Sequence, residues 1–247
     1  MFKLMKYEFR KQLFSKILIL VALAVLEILF LYGLFAEKDG ALGLSMGLFG
    51  LISFGAVLFV TFECIFTFSN DLKTKQSYML FLTPNSAYKI VGAKVLSSVI
   101  YVFITAAALL TFTLVNVGIV FVKYNEIAKA VEALQELIEI FFKANIDMAF
   151  VITMIIYLLV ELVGIMVIGM ASITLSSTFL SNSKGKALVS IAFFFGINFI
   201  ISKIENLVID FDVMSKSSYY YGCIFSAVVM LIFYFATAWM LDKKVSV

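Results

Sequence analysis

Apolar residues run almost without interruption through six stretches of this chain, at about 17–35, 41–68, 95–122, 148–179, 187–202 and 219–241, with short polar segments between them. A helix crosses about 30 Å of hydrocarbon with roughly 20 predominantly apolar residues, because only internally hydrogen-bonded backbone is stable there. The pattern therefore predicts an all-α membrane protein with six transmembrane helices. The second, third and fourth stretches exceed the required length, so their helices should tilt or extend past the bilayer, whereas the fifth is short.

Two polar segments carry a helical period of their own. In 1–16, Phe2, Met5, Phe9 and Leu13 recur at helical spacing while Lys3, Lys6, Arg10 and Lys11 occupy other faces, which predicts an N-terminal interfacial amphipathic helix. In 123–147, Ile127, Val131, Leu134, Ile138 and Phe141 form a stripe with Glu132, Glu136 and Glu139 off it, which predicts an outer amphipathic helix. The whole chain, 1–247, reads as one transmembrane domain.

Composition agrees with this reading. With 63% hydrophobic and 14% charged residues, the chain has too little polar surface to close a soluble core of this size. Charge placement supplies the orientation. Most of the nineteen lysines and arginines fall on one side if both termini are cytoplasmic: Lys3 to Lys16, then Lys73, Lys75, Lys89 and Lys94, then Lys184 and Lys186, then Lys243 and Lys244. The spans are therefore expected to contact the lipid bilayer with both termini inside; the location expected is a bacterial plasma membrane. The net charge of +3 follows from this asymmetry and gives no reason to expect nucleic acid. The first apolar run is too long for the core of a cleaved signal peptide, so it is expected to remain as a span.

Several chemistries are removed by what the sequence lacks. With no histidine, histidine bases, histidine triads and the common zinc sites are excluded, and no metal or catalytic residue is assigned. Cys64 and Cys223 are expected near opposite membrane faces, too far apart to pair, and to act as packing residues. A phosphate-binding loop is approached only at Gly185-Lys186, where Leu180 replaces the first glycine and Ala187 the hydroxyl residue. Gly43 and Gly47 form one small-residue motif, expected to mark close helix packing. Three carboxylates, Glu27, Glu63 and Glu161, lie inside apolar runs. Intramembrane acids cost a few kcal/mol on insertion scales and normally face a cavity, a partner or the bundle interior, so these are candidates for a pathway or a subunit interface. Glu63, near the cytoplasmic end of its span, could instead reach the interface.

The remaining segment, 69–94, joins the second and third spans and contains the only proline. Asn70 and Asp71 are suited to cap a short helix in which Tyr78, Leu80, Phe81 and Leu82 offer apolar surface; Pro84-Asn85-Ser86 then breaks it, and Lys89 and Lys94 mark re-entry into the membrane. In this loop the chain resembles permease subunits of ABC-2 type transporters, the type II ABC exporter architecture. Asp71, Tyr78, Leu80, Leu82, Pro84, Ser86 and Lys94 stand at the places matching that family's acidic-basic stretch, apolar core with proline, small polar residue and lysine. The six-span layout with a basic N-terminal helix is similar as well. The departure is on the outer side: the family commonly elaborates the segment between spans five and six, whereas here 203–217 is short and 123–147 is the long one.

The resemblance implies a membrane half, often a homodimer with a second copy, that pairs with two separate ATPase subunits carrying ATP and Mg. The 69–94 segment would dock on them as a coupling helix, through Asp71, Lys75, Tyr78, Leu80, Phe81, Leu82, Pro84, Ser86 and Lys94. The chain itself would hold no cofactor and would not be an enzyme. Its substrate would be amphipathic or hydrophobic, with peptides favoured; 27 phenylalanines and 11 methionines fit such a lining and equally fit lipid contact. Two other readings stand beside this one: a proton-coupled secondary transporter using Glu27 and Glu161, and a non-transporting membrane immunity or sensor protein.

Overall fold

The computed structural model describes residues 2–73, 86–124, 148–179, 185–209 and 215–243. Six helices account for nearly all of them: α1 (Phe2–Phe35), α2 (Asp39–Lys73), α3 (Ala87–Lys123), α4 (Met148–Phe179), α5 (Lys186–Val208) and α6 (Lys216–Lys243). All six are long and apolar enough to span a bilayer. Even α5, with 23 residues, reaches about 35 Å at 1.5 Å per residue. The 37 residues of α3 reach roughly 55 Å, well beyond the hydrocarbon layer.

Four boundaries differ from the sequence expectation. The 1–16 segment is not a separate interfacial helix, because α1 continues unbroken from Phe2 to Phe35. No proline lies in that stretch and its first glycine is Gly33, so nothing interrupts the backbone ladder. Its expected apolar face is split: Phe2 is 87% exposed and Leu13 50%, whereas Met5 is buried together with Glu8 and Gln12. Second, α2 continues to Lys73, so Asp71 lies within it and caps no new helix. Third, α3 starts at Ala87 rather than at 95, which puts Lys94 inside the helix. The fifth span, expected to be short, also extends to Val208. The 123–147 helix and positions 74–85 lie outside the described residues apart from Lys123 and Tyr124.

The chain divides into two compact units. One contains residues 1–8, 61–99 and 148–247, the other 9–60 and 100–147. In the first, α4 packs along α6 and α5. The second half of α4 is buried nearly all round, from Gly164 through Ser177. Ser172, Thr174 and Ser177 in this stretch donate to carbonyls one turn back at 2.8 Å, which satisfies their hydroxyls without water. A side chain at Gly169 would collide with Ile65, so glycine there permits the approach of α2. Ser176 Oγ donates to Lys186 O at 2.7 Å, tying α4 to the start of α5. No residue of α5 is buried.

In the second unit, α1 turns into α2 within three residues, so the two run antiparallel. Glu37 takes the left-handed conformation, φ 55°, at the turn. Gly33 is required there, because a Cβ would lie 2.7 Å from the backbone nitrogen of Leu42. Lys123 Nζ donates to the free carbonyl of Leu34 near the end of α1 and lies 3.8 Å from Glu37, anchoring the end of α3 at the same turn. Farther along, the Tyr101 hydroxyl donates to Phe9 O at 2.9 Å and Lys16 sits 4.7 Å over the Tyr101 ring. Among the described residues nothing lies within 4 Å of where a Cβ at Gly43 or Gly47 would stand, so the close packing expected of this motif is not seen there.

Candidate functional site

The ends of α2 and α3 bracket the 74–85 segment, and two charged residues from them meet in the interior of the first unit. Lys94 Nζ donates to Glu8 Oε1 at 2.6 Å and also to Asp71 Oδ2. All three side chains are buried, at 2% to 5% residue exposure. Helix spacing explains the meeting. Burying the Met5–Glu8 face turns Glu8 inward, and continuing α2 past Phe68 carries Asp71 to the same level of the unit. Lys94 then has a reason to remain inside: two carboxylates compensate the desolvation of its ammonium, which alone would cost several kcal/mol.

The cluster holds two acids and one base, so it carries a net negative charge when all are ionised. Glu8 Oε2 has no hydrogen-bond donor among the described residues. Around it, Ser97 Oγ and Cys64 Sγ both reach Lys94 O, at 2.9 and 3.9 Å. Glu63 is buried at 7% exposure rather than reaching an interface. Cys64 and Cys223 are both free thiols.

A second polar group lies among α4, α5 and α6. The Ser226 hydroxyl donates to Glu161 Oε1, and the Tyr157 hydroxyl lies 3.3 Å from Glu205 Oε1. Gly222 makes room for the Tyr157 ring, since a Cβ there would stand 2.8 Å from Tyr157 Cε2, and Tyr219 packs edge-on against it at 5.6 Å. Glu27 is elsewhere, in the second unit, lining a cavity of about 330 Å³.

The structure thus joins Asp71 to Lys94, two of the residues singled out in the 69–94 segment, and adds Glu8, which was not singled out. Ser86 is exposed just ahead of α3, its carbonyl accepting from Lys89 and Ile90 nitrogens at 2.9 and 3.3 Å. Lys75, Tyr78, Leu80, Phe81, Leu82 and Pro84 lie outside the described residues. Glu161 gains three companions, Ser226, Tyr157 and Glu205, that sequence reasoning missed. Among the described residues no group of three or more potential metal-ligating acids and cysteines converges.

No family model, curated protein or solved structure matches the chain. The fold and its six apolar helices define a multi-pass helical membrane protein of a build compatible with a transporter subunit.

Proposed function

We infer that this chain is the membrane-spanning subunit of an ATP-driven exporter of the ABC-2 type, placed in a bacterial plasma membrane with both termini cytoplasmic. One observation carries the reading: the buried Glu8–Lys94–Asp71 cluster ties α2 and α3, the helices on either side of 74–85, to the start of α1. The cluster joins α1, α2 and α3 to one another beside that segment. Displacement by a docked partner is passed directly into α1, α2 and α3, which is what a coupling element between an ATPase and a membrane bundle requires.

ATP and Mg are assigned to partner ATPase subunits, in keeping with the defective phosphate-binding pattern around Gly185-Lys186. The chain itself then performs no catalysis. A second copy is the expected membrane partner, and the wholly unburied α5 offers a face for it. The cargo is taken to be amphipathic or hydrophobic, peptides included.

Within this reading Glu161 acts through its charge. Glu161→Gln retains an acceptor for Ser226 and the same shape. The variant is expected to insert and melt like the parent but to change the rate of cargo uptake into inside-out vesicles supplied with external ATP at least several-fold. Equal rates from a well-folded variant would assign Glu161 to packing alone. Run in the same vesicles, a protonophore that stops transport while ATP does not sustain it would replace the ATP-driven reading with the proton-coupled one.

A further inference from the structure

The geometry points to a binding site for a small hydrophobic amine in the open-sided cavity between α1, α2 and α3 of the second unit, with Glu27 and Asn116 among its polar lining. At about 330 Å³ the cavity falls at the lower end of the range that holds small organic ligands, roughly 300–1,000 Å³. Its wall is chiefly apolar, with Phe30 and Phe49 among the lining residues.

The polar atoms define the ligand's chemistry. Glu27 Oε2 and Asn116 Oδ1 are both buried and receive no hydrogen bond among the described residues. The two hydroxyls that line the same cavity cannot serve them. Ser45 donates to Leu42 O at 2.8 Å and Thr113 to Leu109 O at 2.9 Å, so each spends its only proton on its own helix. No lysine or arginine lines the cavity. Apart from the Asn116 amide, the polar lining therefore presents acceptors and one potential negative charge inside an apolar wall. A buried acceptor without a donor is unfavourable, and a carboxylate without a cation more so. A protonated primary amine brings three donors and one positive charge, and an apolar body attached to it would fill the rest.

Neutral lipid tails would fill the volume and leave both acceptors unserved. An anionic ligand would meet Glu27 unfavourably. No residue of 69–94 is among those lining the cavity, and the inference does not rest on the ATP-driven reading, because it requires only binding to the resting chain.

The test is equilibrium binding of radiolabelled adamantylamine to the purified full-length chain in lipid nanodiscs, with empty nanodiscs as the baseline. Saturable binding is expected, displaced by unlabelled amine and at least about tenfold less effectively by adamantanol or adamantanecarboxylate, since a charge-assisted hydrogen bond is lost. Glu27→Gln should weaken the amine by about tenfold or more. Val117→Trp, which narrows the cavity without altering either acceptor, should remove binding. If Glu27→Gln does not yield monodisperse protein, the comparison of amine with alcohol on the unaltered chain decides. Equal competition by the alcohol, unchanged binding to a well-folded Glu27→Gln variant, or no saturable binding above empty nanodiscs would each overturn the assignment.

Discussion

Lys94→Met is expected to destabilise the protein severely, because it keeps the apolar stem and leaves Glu8 and Asp71 buried without their cation. Removing one partner from a buried ion cluster costs about 3–5 kcal/mol, the penalty of the stranded charges rather than the value of the original contact. Glu8→Gln should be milder. It removes one of two mutually repelling carboxylates and leaves Asp71 and Lys94 as a neutral pair. The order of thermal midpoints in detergent, parent first, Glu8→Gln next and Lys94→Met last, checks the argument. A further variant separates charge from packing: Lys94→Met combined with Glu8→Gln and Asp71→Asn has no stranded charge and should recover much of the lost stability. A Lys94→Met protein melting with the parent would mean that the cluster is not desolvated as its burial indicates.

The six spans were legible because the signal for them is redundant: every run is long, and single polar residues within it barely alter its cost. Boundaries were less legible where they rested on charge. A lysine ahead of an apolar run suggests a helix start near 95, but the helix begins at Ala87 and Lys94 lies inside it, held by two buried carboxylates. The same pairing explains Asp71, whose side chain was expected to cap a helix and instead serves Lys94.

Glu8 illustrates a different loss. Its partner lies 86 positions away, and no local pattern encodes that separation. A weak signal was present, because Glu8 is the only acid among the basic residues of 1–16. The apolar stripe of Phe2, Met5, Phe9 and Leu13 was read as the face that matters, although the buried face is the one carrying Met5, Glu8 and Gln12. Periodicity finds a helix and its two faces. Which face turns inward is decided by the tertiary partner, here an ammonium, and in a lipid-facing protein apolar residues are as stable outside as inside. Glu27 and Glu161 were found by the simplest rule, an acid in an apolar run, but their companions Asn116, Ser226 and Tyr157 are polar residues common in membrane helices and carry no comparable mark.

Under the proposed coupling role, the apolar residues between α2 and α3, the two helices tied by the ion cluster, are expected to be the most consequential positions for function. If Tyr78 and Leu82 seat in a groove of a soluble ATPase, they are its anchors, and a few such side chains carry most of the energy of an interface. Placing a carboxylate at each would put two desolvated charges into an apolar groove while leaving Glu8, Asp71 and Lys94 unchanged. The Tyr78→Asp, Leu82→Asp double variant is therefore expected to insert and melt like the parent, to lose ATPase recovery in a pull-down, and to abolish ATP-driven export. The paired outcome is what discriminates. Lys94→Met is expected to lose the fold and the partner together, whereas the double variant loses the partner alone. Full recovery of the ATPase with normal export by the double variant would show that 74–85 rests on lipid, and the buried cluster would then be a brace for the bundle with no part in coupling.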